Sequence, residues 1–208
     1  MRDETIGDYL EQLAGRVPAP GGGAAAALHA AVGAALLGMV ARYSTGEQYA
    51  AHQETISRII TESDELRSIA LRLAEADADA FTAVTNAYQL PRSTEADSAA
   101  RSAALAQALV GAAWPPAQVI GVAGMVVDLA EALAAIGNRN VASDVAAAAE
   151  AARAAAATAR VNVEINLAGI RDEQASLEMI AETDKVDGVI TRAEQVTAAV
   201  RQQIRSWA

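Results

Sequence analysis

The sequence contains no cysteine, and His29 and His52 are the only histidines among its 208 residues. The absence of cysteine excludes a disulfide framework, a thiolate nucleophile and a thiolate metal site. Two histidines are also too few for the common zinc sites, and the glycine fingerprint of a dinucleotide-binding fold is missing. We therefore expect neither a metal site nor a cofactor.

Aromatic side chains are scarce as well, at 3% of the chain, whereas alanine is abundant. Small side chains allow helices to approach one another closely but bury little apolar surface per residue. Such a chain gains stability by burying surface against a second copy of itself, so we expect a homodimer. The net charge of −10 argues against nucleic acid and against an anionic membrane as partners.

The apolar run over residues 24–41 is the one stretch long enough to consider as a membrane span. It is mostly alanine, contains His29 and is followed by Arg42, so we predict a buried bundle helix instead. The first four residues lack the apolar core of a signal peptide. These features lead us to expect a cytoplasmic protein with no membrane partner.

The whole chain has the pattern of helices, and no segment alternates as a half-buried strand does. Capping residues, prolines and glycines divide the chain into separate helices. The expected helices cover about residues 6–15, 22–44, 50–88, 94–113, 115–137, 140–169 and 172–207. Short connections between long helices are typical of an up-and-down bundle, so we predict an all-α fold with a single domain over residues 1–208.

A turn of unusual composition, Pro-Ala-Pro-Gly-Gly-Gly at residues 18–23, leads directly into an alanine-rich helix. The prolines oppose helix, and the glycines allow the backbone to approach a neighbour or a ligand closely. At the start of a helix, the free N–H groups can also meet an anion or a carbonyl. The turn is therefore either a place where helices pack closely or part of a binding site.

The helix expected over residues 50–88 carries an acidic residue, Asp77, at the centre of its apolar stripe, whereas Asp79 faces water. A carboxylate on a core face has to be paired, hydrogen-bonded or protonated. Burial raises the pKa of such a group toward the range in which a general acid or base works. Asp77 is therefore a catalytic candidate, and the alternative is a structural carboxylate bonded to a neighbouring helix. The apolar stripe comprises Ile59, Leu66, Ala70, Leu73, Ala80, Phe81 and Val84.

The helix expected over residues 140–169 has one face made only of alanine, aspartate and asparagine. Such a face invites another helix or a ligand to come close, although the helix dipole alone also favours Asp144 in the first turn. Asp144 and Asn162 are about 27 Å apart along a straight helix. Either one of them is structural, or two copies of the chain bring opposite ends of this face together. The face comprises Asn140, Asp144, Ala148, Ala151, Ala155, Asn162 and Asn166.

Four segments together resemble the formiminotetrahydrofolate cyclodeaminase / methenyltetrahydrofolate cyclohydrolase family. They are PAPGGGAAAAL at 18–28, DADAF at 77–81 followed by LPR at 90–92, GNRNVASD at 137–144 and NVEIN at 162–166, in the family's order. The resemblance covers nearly the whole chain, and the first and third segments are the most specific. The chain departs from the family at residues 45–49, where lysines are common and this sequence has Thr-Gly-Glu-Gln-Tyr. The family's usual lysine after Leu-Pro is Arg92, which keeps the charge.

The resemblance implies a folate enzyme that acts on the one-carbon bridge between N5 and N10 of tetrahydrofolate. We predict a cyclohydrolase, which hydrolyses 5,10-methenyltetrahydrofolate to 10-formyltetrahydrofolate, because no formiminotransferase segment accompanies the domain in this chain. The alternatives are a cyclodeaminase that releases ammonia from 5-formiminotetrahydrofolate, and a non-catalytic helical dimer that binds a folate or a protein.

The same resemblance, together with the helix faces, selects the predicted site residues. Asp77 and Asp144 are the predicted catalytic residues. The substrate, a folate with or without a polyglutamate tail, is expected to contact Pro20, Gly21, Gly22, Gly23, Arg92, Asn138, Asn140, Asn162 and Asn166.

Overall fold

The computed structural model describes residues 4–206 of the chain. Within that range there are seven α-helices and two short 3-10 helices but no β-strand, which confirms the all-α class. The 3-10 helices, Glu47–His52 and Arg139–Val141, precede the third and fifth α-helices. The α-helices are α1 (Ile6–Ala14), α2 (Gly22–Tyr43), α3 (Gln53–Gln89), α4 (Glu95–Ile136), α5 (Ala142–Leu167), α6 (Glu173–Thr183) and α7 (Val186–Ser206).

Helix α2 is the centre of the bundle, and its alanine-rich buried face packs against α3, α4 and α5. The N-terminus of α2 lies beside Asp77 of α3 and Asn162 of α5, while its C-terminus lies beside Asp64 of α3. Helices α3 and α5 therefore run antiparallel to α2. Helix α7 packs against α5 and α4, where Arg192 forms an ion pair with Glu131.

Helix α4 is continuous where the sequence predicts two helices, and Pro115 and Pro116 lie buried inside it. A proline lacks the N–H that would bond four residues back, so Pro116 leaves the carbonyl of Ala112 without its helical partner. The side-chain amide of Asn166 on α5 donates to that oxygen, with 3.4 Å between Nδ2 and O. A contact from another helix thus supports α4 at the point where the local sequence would end it.

The single helix predicted for residues 172–207 is divided into α6 and α7 by a turn at Asp184 and Lys185. The N–H of Asp184 donates to the carbonyl of Ile180, and the N–H of Lys185 donates to that of Glu182. Neither glycine nor proline marks this turn, so the sequence carries no sign of it.

Two ends of the bundle differ in what they bring together. At one end, named the site end below, the first turn of α2 lies against Asp77 of α3 and Asn162 of α5. At the opposite end, the C-terminus of α2 meets the loop 137–141 and the first turn of α5. Past the site end, α3 and α4 continue without α2, so Phe81 is 48% exposed and its predicted place in the apolar stripe is wrong.

Helices α2 and α4 are long and apolar enough to cross a membrane, by length and composition alone. In the bundle, 61% of the residues in the most apolar window of α2 are buried, and 50% of those in α4. A helix that is apolar all round is also typical of a protein core. This property by itself therefore does not indicate a membrane span.

Candidate active site

The carboxylate of Asp77 lies directly against the glycine turn at the start of α2. A Cβ atom built on Gly23 would stand 2.0 Å from Asp77 Oδ1 and 2.6 Å from Oδ2, far inside any real contact. The carboxylate therefore occupies the space in which another residue at position 23 would place its side chain. Glycine is required at position 23 for this close approach.

Two opposing influences act on the Asp77 carboxyl group. Burial raises its pKa, because the charged form loses hydration, and a hydrogen bond from the backbone N–H of Ala24 lowers it; the net pKa is raised. The hydrogen bond is what a structural carboxylate at a helix start would make. The raised pKa is what a general base or acid needs, so the same geometry supports both roles.

Helix α1 contributes a residue to this place that the sequence analysis misses. Tyr9 is the one buried residue of α1, and its hydroxyl oxygen is buried with no hydrogen-bond partner among residues 4–206. Burial and then the negative charge of Asp77 raise the pKa of Tyr9. The position of Tyr9 on the apolar side of a short helix before the glycine turn is the only sequence signal, and it does not distinguish an anchor from a site residue.

Asn162 of α5 closes another side of the glycine turn. A Cβ atom on Gly22 would lie 3.3 Å from Asn162 Nδ2 and 3.5 Å from its Oδ1. The Asn162 amide donates to the carbonyl of Thr158 (2.8 Å), which fixes the side chain on its own helix. The turn thus lies against the small-sided face of α5, and the close packing that its composition predicts is present.

Asn166 lies one helical turn beyond Asn162 on the same face. Its Nδ2 donates to the carbonyl of Asn162 (2.8 Å) as well as to Ala112 of α4. One donor hydrogen therefore links α5 to α4, and the other fixes the side chain on α5 itself. The structure gives Asn166 a supporting role at the site end, and its predicted contact with the substrate stays a prediction.

The predicted residues of the segment GNRNVASD, at 137–144, lie at the opposite end of the bundle. The Asn138 N–H donates to Ser44 Oγ (2.9 Å), and its Nδ2 donates to the carbonyl of Tyr43 (2.7 Å). Its Oδ1 accepts from the N–H of Asn140 (3.0 Å), which starts the 3-10 helix. Asn138 thus ties the start of α5 to the end of α2. Asn140 is exposed, and Asp144 is half-buried in the first turn of α5.

Within one chain, the structure brings together some of the predicted residues and separates others. Asp144 and Asn162 stand on one unbroken helix, so about 27 Å lies between their positions. Arg92 is exposed in the turn between α3 and α4, beyond the site end. The residues assembled at the site end are Pro20, Gly21, Gly22, Gly23, Asp77, Asn162 and Asn166, together with Tyr9.

The opposite end holds a small cavity of about 160 Å³. Its lining includes Gly137, Asn138 and Arg139 of the segment 137–144 and Gln203 of α7. In the described part of the chain, no three His, Cys, Asp or Glu side chains form a group that could hold a metal. The expected absence of a metal and of a cofactor stays a prediction.

Comparison with known proteins places this arrangement in a family. The model of the formiminotransferase-cyclodeaminase family matches residues 5–185. The chain belongs to this family. The resemblance drawn from the four sequence segments is thereby confirmed.

The relatives of this chain within the family include proteins named for two different reactions. A methenyltetrahydrofolate cyclohydrolase from Methylorubrum extorquens is 35% identical over 205 residues, which cover 98% of this chain and 97% of that protein. A formimidoyltransferase-cyclodeaminase from Rattus norvegicus is 32% identical over 174 residues, 83% of this chain and 32% of the relative. This chain therefore spans about a third of the length of the rat protein.

A solved structure supports the fold over its whole length. The crystal structure of formiminotetrahydrofolate cyclodeaminase from Thermotoga maritima superposes with a TM-score of 0.86 at 31% identity and covers 98% of both chains. The arrangement of α1 to α7 is thus that of a family member. Relatives of both names share the fold, so the fold alone does not select one reaction.

Proposed function

We propose that this protein hydrolyses 5,10-methenyltetrahydrofolate to 10-formyltetrahydrofolate. One observation carries the proposal: the half-buried carboxylate of Asp77, whose pKa is raised, lies against a glycine turn at the site end. The near full-length similarity to a cyclohydrolase supports it. We also propose that the protein needs neither a metal nor a cofactor and that it acts in the cytoplasm.

The reaction needs a base next to a cationic carbon. As water approaches the methenyl carbon, Asp77 accepts a proton from it, a C–O bond forms and the electron pair of the C=N bond moves to nitrogen. In the second step the C–N5 bond breaks, N5 takes up a proton and the hydroxyl group loses its proton, leaving a formyl group on N10. The negative charge of Asp77 also stabilises the cationic substrate and the transition state that leads from it.

The experiment that tests this proposal follows the products. Purified protein is incubated with 5,10-methenyltetrahydrofolate, and 10-formyltetrahydrofolate is measured by chromatography against a protein-free sample. The second candidate function, favoured by the similarity to cyclodeaminases, is tested by ammonia release from 5-formiminotetrahydrofolate. Binding of a folate without either product would support the non-catalytic alternative and contradict the proposal.

The proposal also includes a homodimer whose active sites are shared between two chains. Neighbouring helices α2 and α5 leave large apolar side chains uncovered, including Val32, Val161 and Ile165. Because α5 runs unbroken from Asp144 to Asn162, a two-fold contact along this surface places the Asp144 end of one chain near the Asp77 end of its partner. Asp144 then serves the partner's site.

Mixed dimers test the shared site. Asp144→Asn and Asn162→Asp are each expected to be nearly inactive alone. After the two variants are unfolded and refolded together, the mixture is expected to recover about a quarter of wild-type turnover, because half of random dimers are mixed and each holds one intact site. A monomer by light scattering, or a mixture of dimers that recovers nothing, would contradict the shared site.

Arg92 is proposed to bind the carboxylates of the folate tail. It is exposed beyond the site end, and a guanidinium group binds carboxylates in a bidentate way. Arg92→Ala is expected to raise the KM for a polyglutamylated substrate about tenfold, since a charged hydrogen bond contributes about 1.5 kcal/mol, and to change the KM for the monoglutamate little. Steady-state kinetics with both substrates measure this, and equal effects on both would exclude a role in tail binding.

A further inference from the structure

Tyr9 combines two properties that rarely occur together. Its side chain is only 9% exposed, and its hydroxyl oxygen is buried without a hydrogen-bond partner in the described part of the chain. Buried polar groups in folded proteins nearly always have a partner, because an unpaired one loses its hydration without compensation. A buried hydroxyl of this kind therefore indicates a partner that the protein chain itself does not supply.

The surroundings of the hydroxyl indicate what that partner is. The nearby charged group that acts on Tyr9 is the Asp77 carboxylate, whose own protein partner is the N–H of Ala24. Asn162, which lies against Gly22 of the glycine turn, donates one hydrogen of its amide to the carbonyl of Thr158 on its own helix. The Tyr9 hydroxyl is neutral near pH 7, as any tyrosine with a pKa of about 10 or above is, so it can accept one hydrogen bond and donate another.

We propose that the Tyr9 hydroxyl and the Asp77 carboxylate together hold the water molecule that attacks the substrate carbon. The inference rests on the proposed function. One hydrogen of the water is directed to Asp77, which removes it as the C–O bond forms. The other hydrogen is directed to Tyr9 Oη, so that the lone pair of the water oxygen faces the methenyl carbon.

A different explanation for Tyr9 is that it only anchors α1. No other residue of α1 is buried, and Ile6 and Leu10 of the same helix are exposed. The aromatic ring alone would suffice for that purpose. Tyr9→Phe separates the two explanations, because it keeps the ring and removes the hydroxyl.

For Tyr9→Phe we expect kcat of methenyltetrahydrofolate hydrolysis to fall about tenfold, the usual effect of one hydrogen bond at the upper end of its range. KM should change less than about twofold, because the hydroxyl contacts the water and not the folate. The dissociation constant of 5-formyltetrahydrofolate, used as a folate ligand in a binding assay, should change equally little. The melting temperature should stay the same or rise, since an unpaired buried hydroxyl is removed. Tyr49→Phe, a half-buried tyrosine at the opposite end, is the matched control and should leave kcat unchanged.

Each outcome decides the inference. A kcat for Tyr9→Phe within about twofold of wild type would show that Tyr9 is only an anchor. A lower melting temperature together with changes in both kcat and KM would show that the substitution acts by disturbing α1. In that case Tyr9→Leu, which removes both the ring and the hydroxyl, should lose much more activity than Tyr9→Phe. If Tyr9→Leu and Tyr9→Phe lose the same activity, the hydroxyl is responsible. A wild-type protein without hydrolase activity would instead contradict the proposed function itself.

Discussion

Asp77→Asn is expected to lower kcat for methenyltetrahydrofolate hydrolysis about 10²–10⁴-fold, the contribution of a general acid or base. The amide has nearly the shape of the carboxyl group, and its oxygen can still accept the hydrogen bond from Ala24, so the fold is kept. Asp79→Asn is the matched control, because Asp79 lies on the same helix but is exposed, and it should keep wild-type turnover. A folded Asp77→Asn variant with more than about a third of wild-type turnover would contradict the role of Asp77.

The same substitution is expected to raise the melting temperature at pH 7. Burial raises the pKa of Asp77 in the folded protein above that in the unfolded chain, so the folded state binds this proton more tightly. The ionised carboxylate therefore destabilises the fold above the folded pKa, and the penalty is lost as the pH falls toward the unfolded value of about 4. Calorimetry should show the gain of Asp77→Asn at pH 7 and its decrease as the pH is lowered. A loss of stability at pH 7 is the result expected of a purely structural carboxylate.

Gly23→Ala is expected to abolish most of the activity although it adds a single methyl group. The new Cβ would stand 2.0 Å from Asp77 Oδ1, so the carboxylate has to leave its position. We expect turnover to fall about as far as in Asp77→Asn, together with a loss of about 1–3 kcal/mol in the free energy of unfolding from overpacking. Kinetics and denaturant unfolding of the same sample measure both effects.

Gly188→Ala provides the control for a glycine replacement. Gly188 lies in α7, and no atom stands within 4 Å of the Cβ that alanine would add. This variant should keep wild-type activity and gain stability, because alanine is the better helix former by about 1 kcal/mol. Wild-type turnover in Gly23→Ala would mean that the position of Asp77 against the glycine turn has no part in catalysis.

The sequence predicts those parts of the site that local pattern determines. The helical period places Asp77 on a buried face, and burial is what raises its pKa in the structure. The three glycines predict a close approach, and Gly22 and Gly23 make one with Asn162 and Asp77. In both cases the signal is a residue type that is unusual for its position, which a single sequence reveals.

The parts that the sequence does not predict depend on contacts between distant segments. Helix α4 continues through Pro116, and the Ala112 carbonyl that loses its helical partner there accepts a hydrogen bond from Asn166, 54 positions along the chain. An asparagine at position 138 could bind a ligand or hold two helices together, and its residue type does not distinguish these roles. In the structure it ties α5 to α2. Tyr9 is missed because the burial of a hydroxyl on a nine-residue helix is decided by what that helix packs against.

The division of the predicted residues between two ends of the bundle follows from helix geometry. A face that continues over 18 residues of α5 must extend over about 27 Å, and the structure keeps α5 unbroken. Asp144 can therefore reach the chemistry at Asp77 only through a second chain, as we propose. A test of the oligomeric state is therefore also a test of the proposed role of Asp144.

The rate at which 5,10-methenyltetrahydrofolate disappears in the presence of the purified wild-type protein shows whether the protein hydrolyses this substrate. The absorbance of the methenyl group is followed at substrate concentrations above and below KM, beside a protein-free sample at the same pH. We expect a saturable loss far above the spontaneous rate, proportional to the protein concentration and yielding 10-formyltetrahydrofolate. Loss at the spontaneous rate at every protein concentration would contradict this expectation.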